Sequence, residues 1–330
     1  MTRSLQVAVV GATGLVGETM IRILEERKFP ISRLVPLASA RSSGKTISFR
    51  GESIPVQDLA TFDFAGTDLA FFSAGGAVSK QFVPKASEKK CLVIDNTSHF
   101  RYEKDIPLVV PEVNPEKIHE WKNRYIIANP NCSTIQMLVA LYPLHKAAEI
   151  KRIQVATYQS VSGAGRKAIE ELVLNKTPEV FPYPIAYNAI PHIDQFQENG
   201  YTKEEMKMVW ETHKIMDAKV EVNPTTVRIP VQIGHSEVVA IEMQKNLSPE
   251  EARAILSKSP GVVVQDEHSP KGYPTPLMIA GTDPVYVGRI RQDLVRPNGL
   301  NMWIVADNIR KGAALNSIQI AELWLENYLK

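Results

Sequence analysis

Cysteine is scarce in this chain: two in 330 residues, Cys91 and Cys132. Two thiols cannot build the disulfide framework of a small secreted scaffold. No spacing of the kind that ligates zinc is present, so no metal site is expected. Such sparing use suits a reducing, cytoplasmic compartment. Long apolar runs are missing as well. The N-terminal stretch VAVVGATGLVG is broken by three glycines, is too short to cross a bilayer and lacks the layout of a signal peptide, so no membrane association is expected. Charge of one sign is absent too. Lys and Arg number 38 against 36 Asp and Glu, a net charge of +2, scattered rather than in blocks. That pattern leaves no footprint for nucleic acid but is compatible with a small anionic substrate. Internal repeats and low-complexity tracts are also lacking.

What is present is a chain 44% hydrophobic and long enough for two domains. LQVAVVG reads as a buried strand, followed by a helix whose Leu15, Met20, Ile21, Ile23 and Leu24 share one face. RLVPLASA, TDLAFFSAGG, QFVPKASEKK and CLVIDNTS continue the strand and helix alternation that makes a parallel sheet with helices on its faces. Near Asn129 the texture changes. IKRIQVATYQSVSG, TVRIPVQIGHSEVVAIEM and DPVYVGRIRQDL alternate apolar and polar, as half-buried antiparallel strands do. Asn298-Gly299, in RPNG, is a hairpin signal joining two of them. The last segment, GAALNSIQIAELWLENYL, is an amphipathic helix expected to return to the first domain. The expected fold is α/β: a Rossmann-like parallel-sheet domain over 1–128, completed by the C-terminal helix 307–330, and an α+β domain with a mainly antiparallel sheet over 129–306.

Cys132 stands in NPNCSTIQ, after the turn-forming Asn129-Pro130-Asn131 and before apolar residues at helical spacing. A thiol in the first helical turn meets unpaired backbone N–H groups and the positive end of the helix dipole, which favour the nucleophilic thiolate. The competing interpretation is a small apolar core residue.

Gly11, Gly14 and Gly17 form G-x-x-G-x-x-G between the first strand and its helix, a variant of the dinucleotide fingerprint, and the turn places Thr13, Leu15 and Val16 around them. The second strand ends in Arg41-Ser42-Ser43-Gly44-Lys45 with no competing carboxylate. A guanidinium and hydroxyls suit a 2′-phosphate, so NADP is expected rather than NAD; a solvated basic loop is the alternative. Ser73 and Gly75 follow another strand, where more backbone contact with the cofactor is expected.

An acid–base partner is offered by His235, with Arg228 seven residues before it and Gly234 able to bend the chain between them. A hydrogen-bonded structural histidine is the competing interpretation, and His99, His192 and His213 compete by composition. Arg101 follows a parallel strand. Glu211 and Lys214 stand one helical turn apart, and Gln159 closes a strand.

Together VGATGLVG (10–17), ARSSGK (40–45), DNTSHFR (95–101), VPEVN (110–114), NPNCSTIQ (129–136), YQSVSGAG (158–165), ETHK (211–214), RIPVQIGHSE (228–237) and DNIRKGAALN (307–316) resemble the aspartate-β-semialdehyde dehydrogenase family over essentially the whole chain. The lack of a long insertion is similar to its shorter branch. The resemblance implies NADPH-dependent reductive dephosphorylation of L-aspartyl 4-phosphate to L-aspartate 4-semialdehyde, a step toward lysine, threonine, methionine and isoleucine. It implies Cys132 as the acyl-enzyme nucleophile, His235 as acid–base, and Gln159 as a substrate-holding group. Arg228 would bind the substrate carboxylate, Arg101 and Lys214 the phosphate, and Glu211 the amino group, with Asn131 a further substrate-binding residue. Ser162, Gly163 and Asn308 are implied near the cofactor. A homodimer formed through the second domain's sheet and the 181–200 stretch is implied too. His99 and His213 depart from the family pattern. A reductase of another acyl phosphate, such as N-acetylglutamyl phosphate, would share fold, cysteine and histidine. A non-catalytic NADP-binding sensor would need neither.

Overall fold

The computed structural model describes residues 4–328, so the outermost residues of the expected spans 1–128 and 307–330 lie outside the described residues. The chain divides into two compact units, Met1–Pro130 with Ala313–Lys330, and Asn131–Gly312.

In the first unit, strand β1 (Leu5–Val10) is followed by helix α1 (Leu15–Glu26), β2 (Ile31–Ala38), the short antiparallel pair β3 (Thr46–Phe49) and β4 (Glu52–Pro55), β5 (Gln57–Asp58), β6 (Leu69–Phe72), α2 (Gly76–Glu88), β7 (Leu92–Asp95) and β8 (Ile126–Ala128). Six strands form a parallel sheet in the order β5-β2-β1-β6-β7-β8. β1 pairs with β2 on one side and β6 on the other, which makes its C-terminal end the point where strand order reverses and open α/β sheets bind ligands. Val7, Val9, Leu69, Phe71, Leu92 and Ile94 pack on α1 and on the C-terminal helix Leu315–Tyr328 in one hydrophobic core. That burial is what recruits the last helix to this unit. Each apolar strand side chain fully removed from water contributes roughly 1.5–3 kcal/mol.

In the second unit come α3 (Cys132–Ala148), β9 (Ile150–Gln159), α4 (Arg166–Val173), α5 (Lys203–Met216), β10 (Glu221–Arg228), β11 (His235–Met243), α6 (Pro249–Leu256), β12 (Val262–Val264), α7 (Pro276–Ile279), β13 (Val285–Gln292) and β14 (Gly299–Ala306). The sheet order is β10-β9-β11-β14-β13-β12. The three inner pairings are antiparallel and the two outer ones parallel, so the sheet is mixed, with an antiparallel centre. Alternation along a strand reports one buried face, not the direction of the neighbour, which is why the parallel edges were not foreseen. β13 and β14 do form a hairpin, but through a six-residue connection (293–298), closed where the Gly299 N–H donates to the Arg296 carbonyl (3.0 Å). Helices α3, α5 and α6 cover one face of the sheet. α3 is buried on nearly all sides from Ser133 to Leu141, polar residues included, as a central helix must be.

The candidate active site and cofactor cleft

Asn131 is extended at the N-cap and Cys132 is the first residue of α3, as the turn and the following periodicity predicted. Two acids on α5 hold this start. Glu211, fully buried, accepts the Asn131 backbone N–H (2.6 Å), one of the donors a helix start leaves without a helical partner. Glu204 accepts from the Asn131 side-chain amide (2.9 Å) and from the Gln159 amide (3.1 Å). Gln159 also donates to Ser133 Oγ (3.0 Å). The half-buried Cys132 thiol faces Asn131 Oδ1 at 3.8 Å. Gly312 lets the chain close over it: a Cβ there would stand 2.7 Å from that of Cys132.

Arg228 ends β10 and His235 begins β11, so the two are on different strands; Gly234, at φ +99°, makes the break between them. Arg228 Nη1 donates to the Ser160 carbonyl (2.6 Å). The Ser160 N–H donates to His235 Nδ1 (3.1 Å). A nitrogen that accepts a backbone N–H carries no proton, so the neutral ring holds its proton on Nε2. Nε2 is buried and has no hydrogen-bond partner among the described residues. Burial, and then the Arg228 charge, push the His235 pKa down to about 3, against the opposing pull of Glu204. Gly163 separates the two side chains, since a Cβ there would lie 3.1 Å from Arg228 Nη1 and 3.4 Å from His235 Nε2. Asn308 ties the same loops: its Nδ2 donates to Ser162 Oγ (3.0 Å) and its Oδ1 accepts the Gly234 N–H (2.9 Å).

The second unit thus brings together Asn131, Cys132, Gln159, Glu211, Arg228 and His235, with Ser162, Gly163 and Asn308 around the histidine. Lys214 lies half-buried one turn beyond Glu211 on α5. Arg101 belongs to the first unit, buried after β7, with its guanidinium donating to the Asn129 and Asn96 carbonyls (2.9 Å each). The competing histidines are occupied elsewhere: His99 packs edge-on against Phe100, His192 stacks on Phe196, and His213 Nε2 meets the Val220 carbonyl (2.7 Å). Glu204 was missed from sequence. Its signal was the spacing Glu204, Lys207, Glu211, Lys214, a charged stripe on one face of a helix, which ordinarily means solvent and here faces the interior.

In the first unit a cleft of about 520 Å³ opens at the end of β1, lined by Gly11, Thr13, Gly14, Ser39, Ala40, Asp58 and Ser73 among others. Gly11 has φ +86°, and a Cβ on Gly17 would fall 2.2 Å from the Gly11 carbonyl, so the turn and the close approach of α1 both require glycine. Gly14 is the extended N-cap of α1, which leaves the first-turn N–H groups of Leu15 and Val16 available to a pyrophosphate. Val16 itself packs its side chain on the core. Ser73 Oγ donates to the Val10 carbonyl (3.1 Å), and Gly75, at φ +95°, caps α2. This cradle fits a dinucleotide. Arg41 and Ser42 form a short 3-10 turn (Ala40–Ser42) just past β2, Arg41 exposed and neither lining the cleft. The expectation that no carboxylate competes there is corrected: β5 lays Asp58 beside Ala38, and Asp58 lines the cleft while its Oδ1 accepts the Ala60 N–H (3.0 Å). A two-residue strand twenty positions downstream gives no periodic pattern from which this could have been read.

Residues 6–121 match the family model described as semialdehyde dehydrogenase, NAD binding domain, and residues 141–311 the one described as semialdehyde dehydrogenase, dimerisation domain. An aspartate-semialdehyde dehydrogenase of Legionella pneumophila is 60% identical over 340 residues, covering 100% of this chain and 98% of that protein. The crystal structure of aspartate semialdehyde dehydrogenase II complexed with ASA from Vibrio cholerae superposes with a TM-score of 0.96 at 52% identity, covering 99% of each chain. The aspartate semialdehyde dehydrogenase structure with NADP from Candida albicans superposes at 0.79 with 26% identity, covering 98% of each chain.

Proposed function

We propose, because the chain belongs to the aspartate-semialdehyde dehydrogenase family, that it converts L-aspartyl 4-phosphate to L-aspartate 4-semialdehyde through an acyl-enzyme on Cys132, with NADPH as reductant. The observation that carries this is the helix-start thiol held among Asn131, Gln159, Arg228 and His235. The Cys132 thiolate adds to the acyl carbon, the bond from that carbon to the phosphate oxygen breaks, and phosphate leaves a thioester. When bound, NADPH supplies the hydride that takes the acyl group to the aldehyde oxidation level. Arg228 pairs with the substrate carboxylate, Glu211 with its amino group, and Arg101 and Lys214 with phosphate; Gln159 holds the substrate beside the thiol.

His235 begins as a neutral ring with Nε2–H, so its first contribution is a hydrogen bond to the oxygen that becomes negative as the thiolate adds. A carboxylate on Arg228 offsets the charge that depresses the imidazole, which brings it closer to accepting and returning a proton. NADP is preferred because Arg41 and Ser42 offer a guanidinium and a hydroxyl to a 2′-phosphate, although Asp58 opposes that charge from inside the cleft. The first unit binds cofactor. The second carries catalysis and, in keeping with its dimerisation-domain match, homodimer formation. The biosynthetic setting is that of lysine, threonine, methionine and isoleucine. The test is formation of NADPH from aspartate semialdehyde, phosphate and NADP by the purified protein. Phosphate-dependent turnover is the expected result. Activity only on an N-acetylated homologue, or none on either, would overturn it.

A further inference from the structure

We propose that Glu204 is a positioning residue that sets which way the side-chain amides of both Asn131 and Gln159 face, turning their carbonyl oxygens toward the thiol and the substrate; this rests on the function proposed above. Glu204 is buried on the inward face of α5, with Oε1 2.9 Å from Asn131 Nδ2 and 3.1 Å from Gln159 Nε2. Its Oε2 accepts from Lys207 Nζ (2.9 Å), which is braced in turn by Asp194 (2.8 Å). Burial alone would raise this carboxyl, but the Lys207 charge and the amide hydrogen bonds overrule it and hold the group at about 2. At any working pH it is an anion.

An ionised carboxylate only accepts hydrogen bonds, so each amide has one allowed face toward it: the NH₂. The opposite face follows by covalent geometry. Asn131 must present Oδ1 to the Cys132 thiol, where it stands at 3.8 Å. Gln159, whose NH₂ is shared with Ser133 Oγ (3.0 Å), must present Oε1 on the side away from Glu204. An amide is nearly symmetric in shape, so packing cannot choose between its two faces; the charge does.

Glu204→Gln tests this, because it keeps the shape and loses the sense of the contact. Lys207 claims the new side chain's oxygen, so its NH₂ confronts the two amides and they reverse. Asn131 Nδ2 then faces Cys132 and stabilises its thiolate. Turnover of aspartate semialdehyde with phosphate should fall at least tenfold, while NADPH binding followed by fluorescence stays within twofold of wild type. The rate of Cys132 alkylation by iodoacetamide at fixed pH should rise. Glu204→Asp keeps an acceptor, so its alkylation rate should match wild type and its turnover exceed that of the Gln variant. Wild-type turnover in Glu204→Gln, or equal impairment of the two variants with unchanged alkylation, overturns the proposal. If the Gln variant fails to bind NADPH through misfolding, Glu204→Asp carries the test: faster alkylation in that variant overturns the proposal and a wild-type rate supports it. Failure of the underlying function would be seen separately, as full turnover in Cys132→Ser.

Discussion

Cys91 and Cys132 have the same side chain and opposite surroundings. Cys91 is fully buried, its thiol 3.6 Å from the Leu92 carbonyl, and burial with the nearby Asp68 charge pushes it up, away from thiolate. Cys132 is half-buried at a helix start. Sequence could separate them because one begins a continuous apolar strand and the other follows Asn-Pro-Asn. The cofactor end offers a second contrast of this kind. The place of Arg41, three residues past the end of β2, could be read from sequence; that of Asp58 could not, because only pairing of β5 with β2 brings it to the cleft. Arg41→Ala should lower the preference for NADP over NAD by roughly ten- to a hundredfold, the value of one charge-assisted contact of about 1.5–3 kcal/mol. Binding of the two oxidised cofactors, measured by calorimetry, checks it. An unchanged ratio would leave Arg41 as a solvated loop residue.

Among the elements, α3 and α5 make the site, and they differed in how readably they announced it. The start of α3 was set by local chemistry: a turn with proline, then apolar residues at helical spacing. The inward charges of α5 came from a helix whose Thr202–Glu205 capping box and alternating Glu and Lys look like an ordinary surface helix. Burying such a stripe is tolerable only when each charge finds a partner, and Glu204 finds Lys207, Asn131 and Gln159. The segment after β14 matters for another reason. Gly312, within a short π-helical stretch (Arg310–Ala314), approaches Cys132 more closely than any Cβ allows. Gly312→Ala should displace the thiol and cost at least tenfold in turnover. The corresponding change at Gly51, which has open space around its Cβ position and whose constraint is instead a backbone at φ +79°, should leave turnover near wild type and affect only stability. Parallel assays with thermal melts separate the two effects.

Across the molecule, the parallel sheet, the second domain and the return of the final helix to the first unit were legible because periodicity, glycine placement and the change of texture near Asn129 all agreed. The direction of the outer strands of the second sheet was not, since pairing partners distant in sequence decide it. Buried ionisable groups give the whole fold a pH signature. His235 is depressed to about 3 from 6.5 and Glu204 to about 2 from 4.5. For both, the unfolded chain binds protons more readily, so their contribution is present above the unfolded values and is lost as pH falls through the folded ones. Glu237 is the reverse. Fully buried, it is raised well above 4.5 by burial, which outweighs the opposing pull of Gln136, and its contribution is lost as pH rises through its folded value. Between pH 6.5 and 4.5 the His235 and Glu237 slopes oppose each other; below 4.5 His235 and Glu204 act alone, so melting temperature should decline there in the wild type. Glu237→Gln, neutral at every pH, should gain on the wild type progressively above neutrality. A constant difference between the two melting curves from pH 6 to 9 would mean that Glu237 is not neutral in the fold.

The acyl-enzyme is the claim on which the rest depends, and intact-mass analysis tests it most directly. Incubation with aspartate semialdehyde and NADP, with phosphate withheld, should trap an aspartyl thioester, and peptide mapping should place it on Cys132 and not on Cys91. The adduct should vanish on adding phosphate and be missing from Cys132→Ser. An unmodified wild-type protein that nonetheless turns over when phosphate is supplied, or an adduct on any other residue, would contradict the account.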